Sequence, residues 1–506
     1  MFRPHSSSWC YKLYYPQLKK DHTPNPSPLE RGEQSRKTWI DSVFKSILKK
    51  EFGGFKFIEI RLFNFQKSIG ANSLSLQAMN VLIIGNGGRE HAFAYKIKQS
   101  SLCKNLYIAP GNAGTALEGI NLNIATDNFD ALSQVCIEKN IDLIIVGPEL
   151  PLVKGIRDYF ELHPQVKHIP MVGPSKVGAQ LEGSKDFSKQ FMLRHHVPTA
   201  QAKTFTKENL AEGLRYLETC NMPIVLKADG LAAGKGVIIA QSLTEAKQEL
   251  TEMLADAKFG AASASVLIEE FLQGIELSVF VLTDGEDYII LPEAKDYKRI
   301  GDGDTGLNTG GMGSVSPVVF ADAAFLQKVE SEVIIPTIQG LKKEGITYKG
   351  FIFIGLMNVK GKPYVIEYNA RMGDPETQSV LSRIDSDLLE LLQAAATGKL
   401  KQVQYVATSD YTVSVVMASG GYPGDFKKGF DIKGLSTAQT KVFHAGTKNV
   451  NQSIVTDGGR VLAVTGRGKT LAEAREKAYE TVGKINWEGV TFRKDIGLDL
   501  MSWKNG

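Results

Sequence analysis

The chain predicts a multidomain α/β protein, and three observations carry that prediction. From Met79 onward short apolar runs alternate with helical stretches. In the middle of the chain strands are flanked by tight turns, and beyond about residue 405 short strands are separated by glycine turns. Alternating buried strands and helices indicate a parallel, doubly wound sheet, whereas strand–turn–strand patterns indicate antiparallel pairing. At 506 residues the chain is too long for one hydrophobic core.

The first 78 residues differ in character from the body of the chain. They hold 13 Lys/Arg against 6 Asp/Glu and show no sustained period, so their net charge is +7 while the body is −3. The formal charge of +4 therefore gives no support for nucleic-acid binding by the body. Asp21, Glu30, Glu33 and Asp41 spoil the acid-poor pattern of a transit peptide. The expectation is that Met79 is the natural start and that residues 1–78 are an upstream extension, disordered or poorly packed. Cys10, Cys103, Cys136 and Cys220 have no paired spacing, which argues against a disulfide framework or a zinc ribbon and fits a reducing compartment. No apolar run approaches the length of a membrane span.

The doubly wound region contains "NVLIIG", a helix around Arg89 to Gln99, "NLYIAP", "IDLIIVGPE" and "IPMVGP". The turn after the first strand carries Gly85, Gly87 and Gly88, but Glu90 stands where a dinucleotide fingerprint needs its third glycine. A nicotinamide or flavin site is disfavoured, while a glycine turn opening a helix can receive a small phosphate. A helix then begins near Ser184 and ends before Pro198.

"VLKADGLAAGKGVIIA", residues 225–240, has a Walker-like look that fails on inspection. Its Gly230 to Gly234 spacing is one residue short, Gly236 replaces the magnesium-binding hydroxyl, and Val237, Ile238 and Ile239 read as a strand. The stretch is a hairpin with Lys227 ending the first strand and Lys235 in the turn. Glycines let such a turn approach a phosphate chain, and lysines supply charge to it. A solvated lysine on an ordinary hairpin has the same pattern, so this stretch alone leaves both readings open.

"VIEYNARMGDPETQ" puts Glu367 and Asn369 on one face of a strand, two residues apart. A carboxylate beside an amide oxygen is a hard-ligand pair suited to magnesium completed by phosphates and water. Arg371 and the acids of the "GDPE" turn come directly after them. "EEFLQGIELS" places Glu269, Glu270 and Glu276 about a turn, where a carboxylate could hold a ribose diol or simply face solvent. Residues 301–317, "GDGDTGLNTGGMGSVSP", look too glycine-rich to pack a core and read as a substrate loop or as disorder. From about residue 405 the strands, with a helix carrying Leu471, Ala474, Ala478, Val482 and Ile485 at helical spacing, read as a separate, mostly β domain.

The ordered series "GNGGREH", "APGNAGT", "VGPE", "LEGSK", "KADGLAAGKG", "DTGLNTGGMG", "NARMGDPETQ", "KVFHAGT" and "GGRVLAVTG" resembles the phosphoribosylamine–glycine ligase family of the ATP-grasp superfamily over residues 79–503. The resemblance implies a Rossmann-like pre-ATP-grasp domain at 79–180 and an α+β ATP-grasp domain at 181–400 with a mobile lid at about 200–270. A mostly β C-terminal domain occupies 405–506. It implies a single-activity enzyme that joins glycine to 5-phosphoribosylamine through glycyl phosphate, with ATP as phosphoryl donor and Mg²⁺ or Mn²⁺ as metal, in de novo purine synthesis. It further implies a cytoplasmic monomer with small-molecule partners, no nucleic acid and no membrane.

Carried onto this chain, the resemblance assigns the metal to Glu367 and Asn369. ATP would meet Lys227, Lys235, Gly236, Glu269, Glu270, Phe271, Leu272 and Glu276, with Glu276 on the ribose. Arg371, Lys235 and Asp296 would be catalytic. Gly87, Gly88, Asn112, Gly114, Thr115, Asp296, Arg371 and Asp374 would face the substrates. Tyr297 stands where the family often has His, Leu307 where Pro is common, and Ala370 and Met372 where Cys and Phe are frequent. These departures change loop shape rather than charge and weaken any detailed role for Asp296 or Tyr297. Another carboxylate–amine ligase of the superfamily would keep the nucleotide site and change the acceptor loops.

Overall fold

The computed structural model describes residues 78–230 and 236–503. The expectations for the N-terminal extension and for Lys235 lie outside the described residues.

The first sheet is parallel throughout, in the order β3-β2-β1-β4-β5. Its strands are β1 (Met79–Gly85), β2 (Cys103–Pro110), β3 (Ile120–Asn121), β4 (Leu143–Val146) and β5 (Met171–Val172). Alternation along β1 explains why it is wound on both faces: Val81 and Ile83 pack with Phe93 and Ile97, while Leu82 and Ile84 pack with Leu132, Ile156 and Phe160. Helix Gly88–Lys98 starts directly after the β1 turn, close to the expected span.

The segment expected to form the lid contains a second, four-stranded antiparallel sheet in the order β6-β9-β7-β8. Its strands are β6 (Ala202–Thr206), β7 (Ile224–Ala228), β8 (Val237–Ala240) and β9 (Ser265–Glu270). β7 and β8 pair from Ile224↔Ala240 to Lys227↔Val237, so the glycine stretch is a strand–turn–strand unit with no Walker helix. Helix Leu243–Leu254 covers the sheet with Ala246, Leu250, Met253 and Leu254, and its N-terminus is capped by Ser242.

The third sheet has eight strands in the order β16-β15-β10-β11-β14-β17-β21-β18. They are β10 (Ile275–Thr283), β11 (Tyr288–Asp296), β14 (Gly313–Ser316), β15 (Gly350–Val359), β16 (Lys362–Asn369), β17 (Tyr411–Ala418), β18 (Lys441–His444) and β21 (Arg460–Gly468). Two hairpins stand outside it: β12 (Arg299–Gly301) with β13 (Thr305–Asn308), and β19 (Thr447–Val450) with β20 (Ser453–Thr456).

Three expectations change here. The glycine-rich segment 301–317 is not wholly a loop: it forms the β12–β13 hairpin and then β14, whose four residues are all buried. Small side chains are what admit β14, because a Cβ on Gly313 would stand 2.8 Å from the Ser414 carbonyl oxygen and from Ile496. Through β14 the sheet continues from β11 into β17, so the boundary expected near residue 405 is crossed by antiparallel pairing. In the terminal helix the expected apolar face is buried at Leu471, Ala474, Ala478 and Val482, but the helix ends at Val482, and Ile485 is buried beyond it. Among the described residues no helix is long and apolar enough to cross a membrane.

Candidate active site

β16 lies at the edge of the large sheet, paired to β15 with Gly355 opposite Glu367 and Phe353 opposite Asn369. Tyr368 between them points into the core, with its hydroxyl 2.6 Å from Thr337 Oγ1. Alternation therefore sends Glu367 and Asn369 to the opposite, half-buried face, as the sequence predicts.

Further acids gather near this pair. Glu276 on β10 holds Lys298 at 2.6 Å. Lys298 and other nearby cations, outweighing burial, keep the Glu276 carboxyl below its usual range. Burial would lower Lys298, but Asp296, Glu276 and Glu367 hold it well above the ordinary lysine value. Burial, opposed by Lys298 and reinforced by Glu276 and Glu367, pushes Asp296 up. Glu276, Asp296 and Glu367 gather about Lys298, with Lys295 and Lys227 acting on the same group, and a divalent cation would ease the repulsion among the three acids. Glu367 and Asn369 supply two hard oxygen ligands, and no group of three or more His, Cys, Asp or Glu among the described residues could hold a metal unaided. The donor set fits magnesium or manganese sharing its shell with phosphate oxygens.

Lys227, at the end of β7, brings the lid to this strand: its Nζ donates to the Ile366 carbonyl at 3.2 Å. It also forms an ion pair with Glu269 of β9. Burial pushes the Glu269 carboxyl up, but Lys227 and Lys189 outweigh it and hold the group below the usual carboxylate range. The Glu269 side chain is thus engaged by two lysines, while Glu270 and Phe271 are exposed and Leu272 half-buried at the exit of the lid. Gly236 accepts the Ala228 N–H at 2.8 Å and closes the described part of the hairpin. Lys185, the lysine of "LEGSK" to which the sequence gives no individual role, opens helix Lys185–Arg194 and donates to Gly230 O at 3.2 Å. Burial lowers its affinity for a proton, and Glu367 and Asp229 oppose that.

Arg371 comes directly after β16. Its guanidinium lies 2.7 Å from Glu182 and 3.5 Å from Glu149, and the other Glu182 oxygen accepts the Ala370 N–H at 2.8 Å. Asp374 reaches the first glycine turn: it accepts the Arg89 N–H at 3.3 Å and Gln378 Nε2 at 2.9 Å, and Arg460 stands 3.8 Å away. Burial raises the Asp374 carboxyl, but Arg460 and Arg89 overcome it and keep the acid ionised. Gly87 donates its N–H to Glu90 at 2.6 Å, and a Cβ on Gly88 would lie 2.5 Å from Gln378 Nε2. No side chain larger than hydrogen fits at Gly88 without moving Gln378.

The "APGNAGT" loop is a hydrogen-bond knot. Asn112 Nδ2 donates to Asn86 O and His444 O, each at 2.8 Å, and its Oδ1 accepts the N–H groups of Gly114 at 2.8 Å and Thr115 at 3.0 Å. Thr115 donates its hydroxyl to Asn112 O at 3.0 Å, and Gly114 packs against His91. The polar side-chain atoms of Asn112 and Thr115 are therefore satisfied within the protein. Beside the knot opens a cavity of ≈ 240 Å³, lined by Asn86, Gly111, Asn112, Thr447, Lys448 and Asp457 among others. The segment 445–449, which enters β19, carries only a motif in the sequence, and its place opposite the first glycine turn comes from the fold.

Three family models match in chain order: phosphoribosylglycinamide synthetase N domain at residues 79–182, its ATP-grasp (A) domain at 183–377 and its C domain at 412–499. The chain is 49% identical over 425 residues to a phosphoribosylamine–glycine ligase of Vibrio cholerae, covering 83% of this chain and 98% of that protein. It is 48% identical over 434 residues to the Pseudomonas aeruginosa protein of the same name, covering 85% and 100%. A crystal structure of phosphoribosylamine–glycine ligase from Thermotoga maritima superposes with a TM-score of 0.72 at 35% identity, over 82% of this chain and all of that one. A biotin carboxylase domain of Hydrogenobacter thermophilus, solved with MgADP, superposes with a TM-score of 0.63 at 16% identity, over 84% of this chain and 99% of that one, and shares the fold. With these matches across its lid, its glycine turns and its β16 site, the chain belongs to the phosphoribosylamine–glycine ligase family of ATP-grasp enzymes.

Proposed function

We propose that the chain couples ATP hydrolysis to ligation of glycine and 5-phosphoribosylamine, giving glycinamide ribonucleotide, ADP and phosphate in purine biosynthesis. The observation that carries this reading is the meeting of lid and strand: Lys227 bonds to the Ile366 carbonyl, one residue from Glu367, so a triphosphate under the lid reaches the hard-ligand pair.

In the first step a glycine carboxylate oxygen bonds to the γ-phosphorus and the bond to the ADP oxygen breaks. Both reactants are anions, and a pair of unit charges roughly 4 Å apart repels by about 4 kcal/mol at an effective dielectric of about 20. Lys227 and Lys235 offset that repulsion from the lid, with Gly236 bordering the phosphates, Lys185 from the helix that precedes the lid, and Arg371 from the end of β16. Glu367 and Asn369 hold the metal, which supplies charge neutralisation to the phosphates when bound. Residues 269–272 border the adenine and Glu276 takes the ribose, with Lys298 orienting it. Asp296 lies beside that pair, toward the reacting carboxylate.

In the second step the phosphoribosylamine nitrogen bonds to the acyl carbon, phosphate leaves, and the nitrogen loses a proton. Lid closure keeps water from the acyl phosphate in the interval. The ribosyl phosphate sits by Gly87, Gly88 and the 109–115 loop, with Asn112, Gly114 and Thr115 shaping that loop, Asp374 at its edge and Lys448 across the cavity. Lysine is a suitable point charge for such a phosphate. A reducing, cytoplasmic compartment fits Cys103, Cys136 and Cys220, which are free among the described residues. The test is ADP release with Mg²⁺ and each substrate added singly and together. Turnover that needs both glycine and phosphoribosylamine supports the reading; turnover indifferent to phosphoribosylamine assigns a different acceptor.

A further inference from the structure

Lys189 lies one helical turn after Lys185 and is only 3% exposed. A buried ammonium needs a full set of acceptors. Lys189 Nζ has three: Glu269 Oε1 at 2.6 Å, Thr199 Oγ1 at 2.7 Å and Ala200 O at 2.9 Å. These acceptors occupy both crossings of the lid. Thr199 and Ala200 lead the chain into β6, and Glu269 stands near the end of β9, where the chain leaves. The Thr199 hydroxyl in turn donates to Val365 O on β16 at 2.8 Å, two residues from Glu367.

The second oxygen of Glu269 binds Lys227, so two ammonium groups share one carboxylate in a site where Lys189, Glu269 and Lys227 are 3%, 4% and 7% exposed. We propose that Lys189 is a positioning residue for the nucleotide phosphates: by sharing Glu269 it leaves the triad a net positive charge that Lys227 presents, and it pins both lid crossings to the metal-bearing strand. This rests on the reading that Lys227 contacts the ATP phosphates. Without Lys189 the carboxylate belongs to Lys227 alone, and the pair is neutral toward an approaching phosphate. Burial pulls Lys189 toward losing its proton and Glu269 opposes it.

The test uses the full chain with Lys189→Met, Lys189→Gln and Lys227→Met, measuring binding of MgATP and of adenosine by calorimetry alongside the melting temperature. The inference expects both Lys189 variants to weaken MgATP by about tenfold or more while adenosine changes by less than about twofold, because only the phosphates feel the lost charge. It expects the added change Glu269→Gln to recover part of the MgATP affinity in Lys189→Met by releasing Lys227. A merely structural lysine would lower the melting temperature and leave both affinities of the folded protein alike. Should Lys189→Met not fold, Lys189→Gln, which retains a donor for Thr199 and Ala200, carries the same comparison. Unchanged MgATP binding in a folded Lys189 variant, with weakened binding in Lys227→Met, overturns the inference. Unchanged MgATP binding in Lys227→Met overturns instead the reading beneath it.

Discussion

Replacing Asn112 separates a ligand contact from a structural knot. In Asn112→Ala the N–H groups of Gly114 and Thr115 lose the acceptor they meet at 2.8 and 3.0 Å, in a site where Asn112 is 7% exposed and Thr115 fully buried. Each orphaned buried donor costs about 1–3 kcal/mol. The carbonyls of Asn86 and His444 lose a donor at 2.8 Å but keep a second lone pair, adding a smaller amount. The expected loss is about 3–5 kcal/mol. Asn112→Asp keeps the two acceptances but turns a carboxylate oxygen toward both carbonyls, so its loss should be no smaller. Denaturant midpoints read the stability, and KM for phosphoribosylamine and for ATP reads the site. Two variants as stable as the parent, with KM raised for phosphoribosylamine alone, would refute the knot and make Asn112 a substrate contact.

Glu367→Gln removes the one charged ligand of the metal pair, so the Mg²⁺ concentration giving half-maximal ADP release should rise by about tenfold or more; an unchanged titration places the metal elsewhere. Gly114→Ala puts a Cβ onto the His91 ring and 2.6 Å from His444 Cβ, at a cost of about 1–3 kcal/mol that a thermal melt would register. Burial, with His91 and Lys441 nearby, holds His444 down at about 3, below its unfolded value, and its Nδ1 faces Thr447 Oγ1 at 3.1 Å. Between the two values the unfolded chain binds the extra proton, so this contribution to stability is intact above about pH 6.5 and is lost as pH falls, by about 2 kcal/mol at pH 5. His444→Gln should flatten the slope of stability between pH 5 and 7, and an unaltered slope would show that His444 does not set it.

The parts of the fold visible in the sequence are those set by local pattern. The apolar run 81–84 has to be a central strand, Ser184 is an N-cap and accepts the Phe187 N–H at 3.0 Å, and Glu367 and Asn369 share a face because side chains alternate. The parts hidden from the sequence depend on distant partners. β14 reads as loop because Gly313 and Ser314 have weak strand preference, and it becomes a buried strand only when Ser379, Ser414 and the Pro375 carbonyl satisfy it. Lys189 and Lys298 carry no motif signal in the sequence, and only the fold brings Glu269 and Glu276 to them. Arg371 is expected from the sequence to face the substrates, and its partner Glu182, far back in the chain, binds it at 2.7 Å only through the fold. The lysine at i+4 from Lys185 is a usable clue, since both then lie on one side of their helix.

The central claim is that glycine is activated by phosphorylation of its carboxylate before the amine attacks. It is tested most directly by supplying glycine labelled with ¹⁸O in both carboxylate oxygens, together with ATP, Mg²⁺ and phosphoribosylamine, and weighing the products. The account predicts one ¹⁸O in each released phosphate and the other in the amide of the product. Phosphate free of label, with product still formed, would contradict it.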